Sequence, residues 1–187
     1  MKRKSFDIQS HAHYLSFSCY RNQELLVQDD VRNEILKFWH KASVQEQLRI
    51  LAYVVMPTHV HLLILPIGKK YEMSRIVRRL KEPFSRWIVK EWSIHDPATL
   101  RRIELISRGK QVRRFWQAGG GYDRNLYSED AMRRAVEYIE WNPVEKGFVA
   151  RPEDWRWSSA FARCNPNETE LSVDDFECIG NRNAVLK

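Results

Sequence analysis

Residues 53–66 read YVVMPTHVHLLILP, and the fold depends on how this stretch doubles back. Two aliphatic and β-branched runs flank Met56-Pro57-Thr58. That gap is too short for a crossover helix, so the runs are predicted to pair as antiparallel strands with the histidines beside the turn. Side chains alternate along a strand, so His59 and His61 share one face. Val60, Leu62 and Ile64 share the other face, which suits a core. Two neighbouring imidazoles on one strand face form the start of a bidentate metal site.

Working outward, HYLSFSCY at 13–20 alternates Tyr14, Ser16, Ser18 and Tyr20 against Leu15, Phe17 and Cys19, the pattern of a half-buried strand. A second HxH, His11-Ala12-His13, sits at its start in a polar setting and is weak as a metal site. Asp29 and Asp30 precede Ile35, Leu36, Trp39 and Ala42 at helical spacing, which predicts a helix of about four turns. Trp39 reads as packing and His40 as surface. Downstream of Gly68, Ile76, Leu80, Phe84, Trp87 and Ile88 predict a long helix over 71–92, with Pro83 kinking or splitting it. Arg75, Arg78, Arg79, Lys81, Arg86 and Lys90 crowd its other surfaces.

Segment 100–110 fits either a short helix or a loop. VRRFWQ at 112–117 reads as a strand opening on Arg113 and Arg114. Gly119-Gly120-Gly121 reads as a turn or hinge, because no strand–glycine–helix spacing of a phosphate loop surrounds it. Residues 122–126 continue extended. Ser128 caps a helix from Glu129 to about Asn142, where Pro143 is expected to end it. Tyr138 and Asn142 then fall one turn apart at one edge of its apolar stripe. Residues 144–149 read as extended, and Trp155 and Trp157 as anchors packing the tail.

The order is strand, helix, strand, strand, helix, strand, helix. This predicts an α+β fold: a ferredoxin-like split β-α-β antiparallel sheet with helices on one face, plus a late helix carrying the tyrosine. The histidines would lie on a central strand, on the face the first helices leave uncovered. Residues 1–150 are expected to form one domain and 151–187 a tail packed on it, with an acidic end only partly ordered.

Composition narrows the function. The chain has 187 residues, 43% of them hydrophobic, and seven Trp, which argues for a folded globule. Its net charge of +7 points to polyanionic partners. The charge is concentrated: residues 69–114 hold 14 Lys or Arg against 5 Asp or Glu, whereas 165–187 hold five acids against two bases. Cys19, Cys164 and Cys178 lack CxxC spacing, which excludes a zinc knuckle and fits free thiols in a reducing, cytoplasmic setting. The basic N-terminus is followed by no apolar run of signal-peptide or membrane-span length.

Several motifs together carry a resemblance. PTHVHLL at 57–63 resembles the His-hydrophobic-His motif of the single-tyrosine HUH transposases. Phe115-Trp116-Gln117, Gly121-Tyr122-Asp123-Arg124, Tyr138-Ile139-Glu140-Trp141-Asn142-Pro143 and RPEDWRWSSA at 151–160 are similar to the branch called REP-associated tyrosine transposases. The similarity runs from about residue 11 to 160. It implies a DNA transposase acting on single-stranded or hairpin DNA, with Tyr138 as nucleophile and His59 and His61 holding a divalent ion. The insertion-sequence branch has a glutamine one turn after its tyrosine as a further metal ligand. Here the shorter Asn142 stands there.

The chemistry holds together by itself. A tyrosine hydroxyl is a weak nucleophile at neutral pH. A cation on the histidines would polarise a phosphate and align it for attack, leaving a 5′-phosphotyrosine link and a free 3′-hydroxyl. Arg75, Arg78, Arg79, Lys81, Arg113 and Arg114 are candidates for holding DNA phosphates. Two imidazoles are softer ligands than magnesium prefers, so the ion is magnesium or manganese. Two other readings stay open: a non-catalytic nucleic-acid-binding regulator of the same fold, and a metal-dependent nuclease that uses water. The chain would act as a monomer or a homodimer.

Overall fold

The computed structural model describes residues 11–68 and 70–174. The basic N-terminus, Lys69, Cys178 and the last part of the acidic tail lie outside the described residues. In chain order the elements are β1 (Ala12–Ser18), α1 (Asp29–Glu46), β2 (Leu48–Val55), β3 (His59–Pro66), α2 (Met73–His95), α3 (Pro97–Arg102), β4 (Glu104–Ser107), β5 (Lys110–Arg113), β6 (Tyr122–Leu126), α4 (Glu129–Glu145) and α5 (Ser159–Cys164).

The hairpin read from residues 53–66 forms as β2 and β3, and it belongs to a four-stranded sheet ordered β2-β3-β1-β6. All neighbouring pairs are antiparallel. β1 and β2 therefore run the same way, with β3 inserted between them, which is the expected split β-α-β arrangement. β3 is central because it is apolar almost throughout and can be buried on both faces and both edges.

The two faces carry different layers. Leu15 pairs with Leu62 and Phe17 with Val60, giving one apolar face. α1 and α2 cover it: Trp39 packs on Tyr53, and the Lys81 ammonium sits 5.0 Å over the Phe17 ring. Trp39, Tyr53, Phe17, Phe84 and Phe115 are fully buried there. Burying each such side chain is worth about 1.5–3 kcal/mol. α4 packs against β2 and β3 and, through the Tyr138 contact with His61, lies on the opposite face, over the histidines.

Three expected local features differ. Pro83 does not divide α2, which runs unbroken from Met73 to His95. Near the proline, the indole N–H groups of Trp39 and Trp116 donate to the carbonyls of Leu80 and Lys81, and Phe84 next to it is anchored in the core. Pro143 likewise does not end α4, which continues to Glu145, so residues 144–149 do not begin as an extended piece. Helical backbone before proline is disfavoured by a modest steric term, and the burial of both Asn142 and Pro143 outweighs it. The 112–117 strand is split. Its first half forms a two-stranded ribbon, β4–β5, while Trp116 makes an isolated bridge to Cys19 at the end of β1. Phe115 and Trp116 are both buried under α2, which an alternating strand would not allow.

The segment after α4 returns to the outer edge of β2. Val55 N donates to the Trp157 carbonyl, and Asp174 N to the Ile50 carbonyl. The Trp155 indole donates to the Val55 carbonyl at 3.1 Å, and the Arg32 guanidinium lies over both indoles, 4.2 Å from Trp157 and 5.0 Å from Trp155. These contacts satisfy an otherwise open strand edge. No helix among the described residues is long and apolar enough to cross a membrane.

Gly121 leads into β6 where it passes close to β1. Its φ is +83°, and a Cβ there would lie 2.5 Å from both the Ser16 carbonyl oxygen and the Phe17 ring. Gly120 has ordinary φ and open space. Gly121→Ala is expected to destabilise the protein by about 1–3 kcal/mol or more and lower Tm by several degrees. Gly120→Ala should leave Tm nearly unchanged. Thermal unfolding of the two variants checks the contrast.

Candidate active site

The register of β3 against β1 sets the site. His59 stands opposite Ser18 and His61 opposite Ser16, so small side chains flank both rings on that strand. The rings lie 4.8 Å apart, centroid to centroid. Helix α4 crosses above them. Ser128 Oγ accepts from the Ala131 amide at its start, Glu129 and Asp130 occupy its first turn, and Ile139 is fully buried beneath it. Glu140 ties the same helix to α5 by accepting from Ser159 Oγ at 2.6 Å and from Arg163.

This placement brings Tyr138 and Asn142 to the histidines. The Tyr138 ring lies 5.5 Å from His61 and 6.3 Å from Tyr14. Tyr138 is 46% exposed and Asn142 only 2%. The phenol is therefore open to a large substrate while the amide is sealed beneath the helix. Four of the residues singled out in the sequence thus meet at one place: His59, His61, Tyr138 and Asn142.

The polar bonding around them is incomplete. His59 Nδ1 is bonded to Thr58 Oγ1 at 2.9 Å, and His61 Nδ1 to the Tyr14 hydroxyl at 2.7 Å. His61 Nε2 and Asn142 Oδ1 are buried with no hydrogen-bond partner. A buried acceptor without a donor costs about 1–3 kcal/mol. Asn142 is near enough to His59 to draw its pKa upward, yet Oδ1 makes no bond of normal geometry. Two orphaned acceptors beside a second imidazole are what a divalent cation would satisfy. When Nδ1 of His61 donates to the Tyr14 oxygen, Nε2 presents its lone pair. Among the described residues no three His, Cys, Asp or Glu side chains converge. An ion here would have to draw on the Asn142 amide, with substrate oxygens or water completing its shell.

Burial shapes the electrostatics. It pushes the His61 pKa down to about 3, with repulsion from His59 adding to the effect. Burial also lowers His59, Asn142 opposes the shift, and Lys146 reinforces it. Both rings are neutral at pH 7, the state in which an imidazole can ligate a metal. Tyr14 is raised well above the normal phenol range, first by burial and then by Tyr138 and Tyr122, so it stays protonated.

The basic residues singled out in the sequence are not brought to this site. Arg75, Arg78, Arg79 and Lys81 lie on α2, across the sheet. Arg75 and Arg79 pair with the buried Glu46, at 2.9 and 3.5 Å. Lys81 is buried and donates to the Gly119 carbonyl at 2.9 Å. Arg113 pairs with Glu104 on the β4–β5 ribbon, and Arg114 lies 5.9 Å from the Tyr20 ring. His13 of the other HxH faces the α2 side, with both ring nitrogens bonded, to Asp123 and to the Tyr71 hydroxyl, each at 3.0 Å.

Sequence reasoning missed Tyr14, Arg124 and Arg134, which line a cleft beside Tyr138. The available signal was Tyr14 on the polar face of β1, in step with Ser16 and Ser18.

The His61 shift has a defined sign. An unfolded chain binds a proton at this ring near pH 6.5, whereas the folded metal-free chain resists it until about pH 3. The stability it contributes is full above pH 6.5 and is lost as pH falls through that window. The metal-free protein should weaken on acidification, and His61→Leu should flatten the profile by up to about 1.4 kcal/mol per pH unit. Urea unfolding at a series of pH values measures this.

Comparison with known proteins gives the chain's family and its fold relatives. Residues 7–142 match the family model described as "Transposase IS200 like". A Haemophilus influenzae protein named "Putative REP-associated tyrosine transposase" is 29% identical over 131 residues, covering 70% of this chain and 69% of that protein. A solved REP-associated tyrosine transposase bound to a REP hairpin shares the fold, with a TM-score of 0.65, 20% identity, and coverage of 94% of this chain and 92% of the other. The family match begins ahead of β1 and ends on Asn142, one turn past Tyr138, and the chain belongs to the IS200-like transposase family of enzymes.

Proposed function

We propose that this transposase cuts and rejoins single-stranded DNA beside a hairpin, with Tyr138 as nucleophile and a divalent ion held by His59, His61 and Asn142. The observation that carries the reading is the meeting of an exposed phenol, Tyr138, with the unpartnered buried acceptors His61 Nε2 and Asn142 Oδ1. When bound, the ion would neutralise charge on the scissile phosphate and orient it. Manganese suits two imidazoles and an amide better than magnesium does.

Tyr138 Oη attacks phosphorus, and its proton passes to solvent. The bond from phosphorus to O3′ breaks, and the leaving oxygen takes up a proton as a 3′-hydroxyl. The 5′-phosphotyrosine link retains one phosphoester bond for each one broken, so a second 3′-hydroxyl can reverse the step without ATP. Neutral His59 and His61 keep their lone pairs at working pH, and the protonated Tyr14 hydroxyl fixes the His61 ring. The similarly folded solved protein is bound to a REP hairpin, and a net charge of +7 suits the same class of partner. Arg78 and the basic face of α2 would then meet the hairpin stem rather than the scissile strand, since they lie across the sheet from Tyr138.

Incubation with hairpin DNA carrying single-stranded flanks, plus manganese, should give an SDS-resistant protein–DNA adduct. Tyr138→Phe should abolish it, and an unchanged adduct would assign the nucleophile elsewhere. Cleavage persisting in that variant would point to attack by water. His59→Ala combined with His61→Ala should reduce cleavage by at least a hundredfold while hairpin affinity in a gel-shift assay stays within a few fold. Cutting at the wild-type rate would remove the histidines from the mechanism.

A further inference from the structure

Beside Tyr138, on the side away from His59, a cleft of about 380 Å³ opens between α4 and the strands β1 and β6. Leu126 and Ala135 line it with apolar side chains, and Tyr14, Tyr122 and Tyr138 line it with aromatic rings. Arg124 and Arg134 also line it. Arg124 stands opposite Tyr14 in the sheet, and Arg134 lies one turn before Tyr138 on α4.

Several other arginines at the domain surface are held by carboxylates. Arg75 and Arg79 pair with Glu46, Arg113 with Glu104, Arg133 with Glu129 and Arg163 with Glu140. Neither Arg124 nor Arg134 has an acidic partner among the described residues. The cleft thus combines apolar side chains, aromatic rings and two available guanidinium groups. That set matches a nucleotide: a base for the rings and apolar side chains, and phosphate oxygens for the arginines. The volume is at the small end for ligand clefts, the scale of one nucleotide and not of a duplex.

We propose that this cleft holds the nucleotide that becomes linked to Tyr138 through its 5′ phosphate, with Arg124 and Arg134 gripping the phosphates on either side of its sugar. The inference rests on the reading of Tyr138 as nucleophile. In an in-line displacement the leaving O3′ departs opposite the attacking oxygen, whereas O5′ stays equatorial, close to the attacking residue. The nucleotide on O5′ therefore remains beside the tyrosine, and the cleft is the space beside that ring. Arg124, Arg134 and Tyr122 are binding and positioning residues under this assignment, and they set where the strand is cut relative to the hairpin.

The test uses the full chain. Adducts formed with hairpins of randomised single-stranded flank are protease-digested and sequenced to locate the first linked nucleotide. An abasic site at that nucleotide should lower wild-type adduct yield at least tenfold. It should have little further effect in Arg134→Gln or in the cleft-filling Ala135→Phe, whose yields are already reduced. An abasic site on the leaving side should cost the same in every protein. In a second readout, Tyr138→Phe protein should quench a single-stranded trinucleotide containing 2-aminopurine, and adding Arg134→Gln or Ala135→Phe should abolish the quenching. Variants with wild-type Tm that retain both the abasic penalty and the quenching overturn the proposal. If no adduct forms but quenching depends on Arg134 and Ala135, the cleft assignment is supported and the role of Tyr138 fails. If Tyr138-dependent adducts form at unchanged yield in both cleft variants, the cleft assignment fails and Tyr138 stands.

Discussion

The pairing of β3 between β1 and β2 is the constraint on which the site depends. Alternation along β3 puts His59 and His61 on one face and Val60, Leu62 and Ile64 on the other. A slip of one residue would turn both imidazoles into the apolar layer under α1 and α2 and expose the core residues to α4. That register is held by ladders on both edges of β3 and by the burial of Leu15, Phe17, Tyr53 and Leu62. The energy that orders the imidazole pair is the same energy that folds the sheet. The histidines therefore need no separate device to stay together.

The second helix layer is arranged for a different end. α4 is fastened to the sheet by Ile139 and Met132 and to α5 by Glu140. This leaves its Tyr138 edge half open while its Asn142 turn is closed. One turn of helix thus carries a reachable phenol and a sealed amide. Sealing matters for the amide, because a buried oxygen without a donor is poorly satisfied, and a cation, if bound as proposed, would satisfy it. Exposure matters for the phenol, because under the proposed function a DNA strand would have to reach it. The tail closes the outer edge of β2, so the open surface around the site faces β6 and the cleft.

Charge and chemistry are separated across the sheet. The basic excess that is conspicuous in residues 69–114 falls on α2, α3 and the β4–β5 ribbon, and several of those groups are spent on Glu46, Glu104 and the Gly119 carbonyl. The cations next to Tyr138 come instead from β6 and α4. Net charge read along the chain points to a polyanionic class of partner. It does not tell which cations lie beside Tyr138, because neighbours in sequence lie on opposite layers once the sheet forms.

Much of the fold was legible in the sequence. Period-two alternation at 13–20 and 59–64, the short Met56-Pro57-Thr58 turn, the helical stripe of Ile35, Leu36, Trp39 and Ala42 and the helix capped by Ser128 are local signals, and each produced its element. The i, i+4 relation of Tyr138 and Asn142 is equally local. Proline was the misleading signal. Both Pro83 and Pro143 sit inside continuous helices, because buried neighbours outweigh a steric penalty that is all the sequence displays. The partner of His61 came only from tertiary structure: Tyr14 is 47 residues away, and nothing local relates them, whereas His59 bonds its neighbour Thr58. The burial that keeps His61 neutral, the orphaned acceptors and the cleft beside Tyr138 likewise arise from the closing of α4 over the sheet. Periodicity determines which face a side chain takes, and only packing determines what that face meets.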